Sequence, residues 1–91
     1  MLKFEDACKK AYNFFKENTQ QIAIYSAMDA GEFWLFFGDT DGYVDVGGQG
    51  IKLNKDSGEI EEFTLPNIEN FQIMKNAVSL EVPNEFKKSV E

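Results

Sequence analysis

The chain has 91 residues, 43% of them hydrophobic and 14% aromatic, which suits a single domain spanning residues 1–91 with one modest core and argues against a disordered chain. Its 16 acidic residues outnumber nine lysines, and it has neither arginine nor histidine, so the basic surfaces that bind nucleic acid or an anionic membrane are not expected. A single cysteine excludes an internal disulfide, and without a signal peptide or a long apolar run the expected location is the cytoplasm.

Residues 3–17 predict an amphipathic helix. Apolar side chains recur every three or four residues from Phe4 to Phe15, and lysines occupy much of the opposite face. Cys8 falls within the apolar stripe, which favours a small buried hydrophobic side chain over a reactive thiol. Asn18 is predicted to end the helix, because asparagine tolerates a left-handed backbone.

Two strands are predicted next. From Gln20 the apolar residues alternate with a period of two up to Met28, and residues 29–31 break the run. The following run, Glu32 to Phe37, is apolar on both faces. It predicts either a strand covered on both sides, or one that is covered on one side and presents an aromatic surface on the other.

An acidic turn is predicted at residues 38–42, and a third strand begins at Tyr43 to Val46. A calcium loop starting at Asp39 would need a ligand at its fifth position and glycine at its sixth, where the chain has tyrosine and valine, so no metal site is predicted. Glycines at 47–50 predict a bulge or a close backbone approach rather than a phosphate loop, because no lysine-serine pair or helix follows them.

The stretch from Gly47 to Phe63 is typical of a β-hairpin. Ile51 and Leu53 alternate with polar residues, and the strand from Ile60 leads away from a turn at Ser57-Gly58. Gly58 is predicted to take the left-handed conformation that closes such a turn, because a side chain would clash there.

The last elements are short. A helix is predicted after an N-cap at Asn67, followed by a strand at Val78 to Val82 and a helical turn at residues 83–88. The predicted fold class is therefore α+β, in the order α-β-β-β-β-α-β, with the N-terminal helix packed on an antiparallel sheet of four to five strands. The other sheet face is expected to be open, with Trp34 or Phe36 on it according to the register.

The residue types argue against an enzyme. Histidine is absent and the one cysteine is expected to be buried, so the common general base, nucleophile and zinc ligands are missing. Carboxylates remain, but they fall on predicted turns and solvent faces, and the chain is short for a sugar-binding cleft. We therefore expect a binding protein that uses no cofactor.

A family resemblance rests on three stretches between about Glu5 and Leu65: the helix DACKKAYNFFKEN, the aromatic strand FWLFFG, and the glycine step followed by IKLNKDSGEIEEFTLP. They resemble the small bacterial domains grouped as immunity protein 35, also called the YrhB-like domain. The family's glycine step usually carries a proline, where this chain reads GGQGI. The resemblance implies a protein that neutralises a toxin delivered by, or made in, the same bacterial population.

Negative charge is concentrated on the predicted sheet and its turns, because residues 29–62 hold nine acids against two lysines. An acidic surface can attract and occlude a basic toxin. The hypothesis places that surface at seven residues: Trp34, Asp39, Asp41, Asp45, Glu59, Glu61 and Glu62. Two alternatives remain, namely a structural domain that forms a homodimer through an open sheet face or edge strand, and a small-ligand carrier with a cavity between helix and sheet.

Overall fold

The computed structural model describes residues 2–18, 21–40, 50–63 and 68–87. In chain order the elements are α1 (Phe4–Asn18), β1 (Gln21–Asp29), β2 (Phe33–Thr40), β3 (Gly50–Asn54), β4 (Ile60–Phe63), α2 (Ile68–Asn76), β5 (Val78–Leu80) and a 3₁₀ turn at Asn84–Phe86. The strands form one antiparallel sheet in the order β4-β3-β2-β1-β5. The α+β fold class and the predicted order of helices and strands are confirmed.

Helix α1 packs on the first face of the sheet. Its apolar stripe is buried and includes two alanines, Ala7 and Ala11, whose small side chains allow the helix to lie close to the strands. The sheet contributes buried residues from three strands: Ile24, Ala27, Trp34, Phe36, Ile51 and Leu53. Phe4 contacts this layer directly, with its ring centroid 6.1 Å from that of Phe36 and nearly parallel to it.

The second face of the sheet is covered in part by α2. Leu35, Phe37 and Phe63 are buried there, and Ile73 and Met74 of α2 pack against them. The apolar run of β2 is therefore covered on both sides, which was the first of the two predicted alternatives. The expectation that this face is open was wrong over this half of the sheet.

Trp34 and Phe36 both lie on the α1 face, so placing either of them on an open face was wrong. Trp34 pairs across the sheet with Leu53 and is only 6% exposed. Side chains alternate between the two faces along a strand. In a run that is apolar throughout, the sequence does not show which residues lie on which face until the register is known.

The turn predicted at residues 38–42 is corrected over residues 38–40, and residues 41–42 lie outside the described residues. Residues 38–40 continue β2 and pair with the N-terminal half of β1, because that long strand offers partners for their backbone groups. The pairing is irregular, with one extra residue of β1 at Ile22 and another at Tyr25. The predicted strand start at 43–46 and residues 47–49, which include Gly47 and Gly48, lie outside the described residues.

The β3–β4 hairpin forms as predicted. Gly58 has a φ of +75°, and its amide donates to the carbonyl of Asn54 at 2.9 Å. The side chain of Asn54 supports the turn by accepting hydrogen bonds from the amides of Asp56 and Ser57, both at 2.9 Å. Local hydrogen bonding of this kind is a common reason for asparagine at the start of a turn.

The helix ends differ in detail from expectation. Asn18 is the last residue of α1, but it is not left-handed, since positive φ among the described residues occurs only at glycines. Its side-chain amide instead donates to the carbonyl of Phe14 at 3.1 Å. Neither helix within the described ranges is long and apolar enough to cross a membrane.

Candidate partner-binding surface

A shallow polar groove lies on the second face, at the β3–β4 end of the sheet. It is lined by six residues from the β1–β2 turn, β2 and the β3–β4 hairpin: Glu32, Phe33, Lys52, Asn54, Glu59 and Glu61. The register assembles them, because Phe33 pairs with Asn54 and Lys52 pairs with Glu61, so their side chains share one face. We call this set the acidic groove.

The acidic groove carries three carboxylates against one ammonium group. Lys52 Nζ lies 3.1 Å from Glu61 Oε2 and 5.1 Å from the centre of the Phe33 ring. The Glu61 side chain remains 61% exposed, so this ion pair is solvated and contributes little to stability. Glu32 and Glu59 are also exposed and form no ion pair within the described part of the chain, which leaves the groove with a negative charge.

The size of the groove favours contact with a protein side chain. Its volume is about 170 Å³, below the roughly 300–1,000 Å³ of typical small-molecule pockets. Among the described residues no three acidic or cysteine side chains are arranged to hold a metal ion. The groove is therefore best described as an open, charged surface whose partly exposed phenyl ring lies among carboxylates.

The structure separates the glutamates that were predicted to act together. Glu59 and Glu61 line the acidic groove, as the hypothesis requires. Glu62 pairs with Ile51 and therefore projects on the α1 side of the sheet. It is exposed, but a partner seated in the groove would not contact it directly.

The predicted aspartates do not join this surface within the described residues. Asp39 lies near the far end of β2, six residues beyond Phe33, which corresponds to about 20 Å along a strand. Asp41 and Asp45 lie outside the described residues. Trp34 is buried under α1 and is removed from the predicted surface, because its ring is part of the core.

Four groove residues were not predicted as site residues: Glu32, Phe33, Lys52 and Asn54. Glu32 directly precedes β2, and the other three belong to paired strands. The signal that would have found Phe33, Lys52 and Asn54 is the cross-strand register, since each pairs with another member of the groove. Glu32 has no cross-strand partner among the described residues and reaches the groove through its position next to Phe33. A single sequence does not fix that register, so only the two hairpin glutamates were identified.

Lys55 holds Glu32 in place relative to the hairpin. Its backbone amide donates to the carbonyl of Glu32 at 3.1 Å, and its Nζ lies 2.8 Å from Asp29 Oδ1. Asp29 also accepts a hydrogen bond from the amide of Gly31 at 2.9 Å. The Lys55 side chain is only 14% exposed and lies over the Trp34 ring, so the β1–β2 turn and the β3–β4 hairpin are joined at one point.

This junction predicts a pH-dependent contribution to stability. The hydrogen bond from Lys55, and after it the one from the Gly31 amide, lowers the pKa of Asp29 below 3.8. A carboxylate with a lowered folded pKa stabilises the fold above its unfolded pKa and loses that effect as the pH falls through the folded value. Because Asp29 is 40% exposed, the expected contribution is about 0.5–1 kcal/mol.

Urea unfolding of Asp29→Asn over a pH series tests this contribution. The variant should be less stable than the wild type at neutral pH, and the difference should shrink below about pH 4 as Asp29 becomes protonated in the wild type. Asp56→Asn, an exposed residue of the same hairpin turn, is the matched control and should show no such convergence. A stability difference that is constant with pH would contradict the assignment.

We compared the chain with protein-family models, with curated proteins and with solved structures, and none of them matched.

Proposed function

We propose that this chain is a non-catalytic binding protein of the bacterial cytoplasm. It neutralises a basic protein toxin by binding it through the acidic groove. The observation that carries the proposal is the composition of the groove, in which Glu32, Glu59 and Glu61 line the same shallow surface as Phe33. Both sequence resemblance and charge support the proposal: the first implies toxin neutralisation, and the second implies a basic partner.

Electrostatic attraction would act before contact is made. The chain has a net charge of −7, and the groove concentrates part of it on one surface. Complementary charge raises association rates and selects against acidic partners. The effect is screened over a Debye length of about 10 Å at 0.1 M salt, so association should weaken as salt rises.

Phe33 takes the apolar role that the sequence assigned to Trp34. It is half-buried at the border between the α2-covered core and the groove, and Lys52 Nζ lies 5.1 Å from its ring centre. Aromatic residues that are fixed by their surroundings are favoured anchors in interfaces, because little side-chain entropy is lost on binding. An exposed arginine or lysine stem of the toxin would pack on this ring between the glutamates.

The proposal predicts that a large secreted protein with a toxic C-terminal domain is encoded beside this gene, and the test measures binding to that domain. We expect the double variant Glu59→Lys/Glu61→Lys to weaken binding by roughly 10- to 100-fold, because two rim charges are reversed at the contact. Calorimetry at rising salt should show wild-type affinity falling while the variant changes less. Coexpression should show the matching loss of protection against the toxin.

The controls separate local contact from overall charge. Glu17→Lys/Glu81→Lys changes net charge by the same amount at exposed residues outside the groove and should lower only the association rate. Glu62→Lys changes an exposed residue on the other face and should have a small effect. The proposal would be refuted if affinity changed neither with salt concentration nor with the Glu59→Lys/Glu61→Lys substitutions. A gene neighbourhood of metabolic enzymes without a toxin gene would also argue against it.

A further inference from the structure

The outer edge of β1 is only partly paired. β1 has nine residues, and β2 pairs with it from Gln21 to Asp29, while β5 covers only Ala27–Asp29 on the other side. Within the described residues, the β5-side edge of residues 21–26 therefore has no strand partner. We call this segment the open β1 edge. A free edge presents backbone donors and acceptors that can pair with another chain.

The side chains of the open β1 edge are unusual for an unprotected edge. No charged residue occurs from Gln21 to Met28, although the chain as a whole carries a net charge of −7. Tyr25 is 72% exposed and Ile22 is 39% exposed, which makes them two of the three large exposed hydrophobic residues in the described ranges. Exposed apolar residues beside free backbone groups favour association.

The opposite edge of the sheet shows the contrast. β4 carries Glu61 and Glu62 in a strand of four residues, and Glu59 directly precedes it. Short, charged edge strands deter pairing with other strands. Among the described residues the sheet thus has one edge that carries charged side chains and one that carries none.

The irregularities in β1 coincide with its exposed apolar residues. Ile22 and Tyr25 are the two extra residues at which the β1–β2 register shifts. A bulge alone can hinder pairing at an edge, whereas charged side chains, the other common protection, are absent from residues 21–28. The two extra residues therefore present apolar side chains that a second strand could bury.

We propose that the open β1 edge pairs with the same edge of a second copy of the chain, with the two β1 strands antiparallel about a two-fold axis. A two-fold interface brings identical surfaces together, so two acidic copies meet with least repulsion where both lack charge. Each dimer would bury Ile22 and Tyr25 twice. The proposal is independent of the proposed function, because the acidic groove lies at the opposite end of the sheet and stays free in both copies.

Sedimentation velocity over a wide range of protein concentration tests the dimer. The wild type should shift from monomer to dimer as concentration rises, and Tyr25→Glu should raise the dimer dissociation constant at least about tenfold, because the change occurs twice per interface. Val78→Glu is the matched control, since it adds the same charge at an exposed residue of β5, and it should leave dimerisation unchanged. Thermal unfolding of each variant confirms that the fold is retained.

Hydrogen exchange locates the interface independently of any substitution. Amides from Ile22 to Ser26 should become more protected as the wild-type concentration rises, and those of Tyr25→Glu should not. A wild type that stays monomeric at every concentration would overturn the proposal. So would a dimer that survives Tyr25→Glu without protection of these amides, or one that Val78→Glu dissociates, because that outcome would place the contact on β5.

Discussion

Replacing Gly50 with alanine should lower the free energy of unfolding by about 2–4 kcal/mol, because the added methyl group has no space. A Cβ at residue 50 would lie 2.7 Å from the carbonyl oxygen of Phe36 and 2.7 Å from Cδ1 of Phe37. The carbonyl belongs to β2, and moving it would disturb the ladder in which Phe37 pairs with Gly50. The added methyl group would therefore clash with a backbone carbonyl that cannot move without breaking strand pairing.

Two described glycines with positive φ, Gly31 and Gly58, separate steric cost from backbone strain. Gly31 has a φ of +91°, and a Cβ there would meet nothing within 4 Å, so Gly31→Ala should cost only the strain, about 1–2 kcal/mol. Gly58 has a φ of +75°, and a Cβ there would lie 3.1 Å from Leu2 Cδ1 and 2.9 Å from Lys10 Nζ. Lys10 is flexible, so Gly58→Ala should fall between the other two variants.

Urea unfolding of the three alanine variants under one condition supplies the comparison. The expected order of destabilisation is Gly50 first, then Gly58, then Gly31. Equal m-values would show that the variants change stability rather than the surface exposed on unfolding. If Gly50→Ala were the mildest of the three, the β2–β3 register described above would be incorrect.

Local turn chemistry explains why the hairpin was predictable from sequence. Gly58 is flanked by a serine and follows two alternating apolar residues, Ile51 and Leu53, so both the turn and the buried face are encoded within a few positions. The amphipathic period of α1 is similarly local, and it predicted the helix within one residue of its observed bounds at each end. These features do not depend on distant parts of the chain.

The sequence could not predict which face of the sheet each β2 side chain occupies, and the reason is physical. The residues of β2 from Phe33 to Phe37 are all apolar, so no alternation of polar and apolar side chains shows which of them face the core. Trp34 was therefore assigned to a binding surface instead of the core. Coverage of the second face depends on α2, which is distant in sequence. The continuation of β2 through residues 38–40 likewise depends on the length of β1, which overrides the turn preference of glycine and aspartate.

Only part of the acidic groove, Glu59 and Glu61, could be predicted, for the same reason. Glu59 directly precedes β4 and Glu61 lies two residues further on, so the alternation of side chains favours one face for both. Glu32 and Phe33 join them only through the pairing of β2 with β3 and through the contact of Lys55 with the β1–β2 turn. Binding surfaces assembled across three strands need the register, and a single sequence supplies it only where the apolar pattern is unambiguous.

The thiol of Cys8 should react with alkylating or disulfide reagents at least about 10³-fold more slowly in the folded protein than in the unfolded chain. Cys8 is fully buried between α1 and the sheet. Burial, and after it the nearby negative charges of Glu5 and Glu85, raise the pKa of Cys8 from 9.0 to about 12. Three pKa units alone reduce the reactive thiolate roughly 10³-fold near pH 8.

Labelling of Cys8 therefore reports on opening of the fold, since the reagent reaches the thiol only when the α1–sheet contact is broken. The labelling rate should rise with urea in parallel with the unfolded fraction. A control variant, Lys9→Cys with Cys8→Ala, moves the thiol to the adjacent exposed position and should label quickly in the folded state. Fast labelling of the wild type without urea would show that α1 does not seal this face, and would contradict the burial of its apolar stripe.

The same pKa shift has a consequence at high pH. A group whose folded pKa is raised stabilises the fold fully below its unfolded pKa, and that stability is lost as the pH rises toward the folded value. The unfolded chain ionises Cys8 from about pH 9, whereas the folded chain keeps the proton to about pH 12. Between these values the wild type should lose stability faster than Cys8→Ala, because only the wild type gains a thiolate when it unfolds.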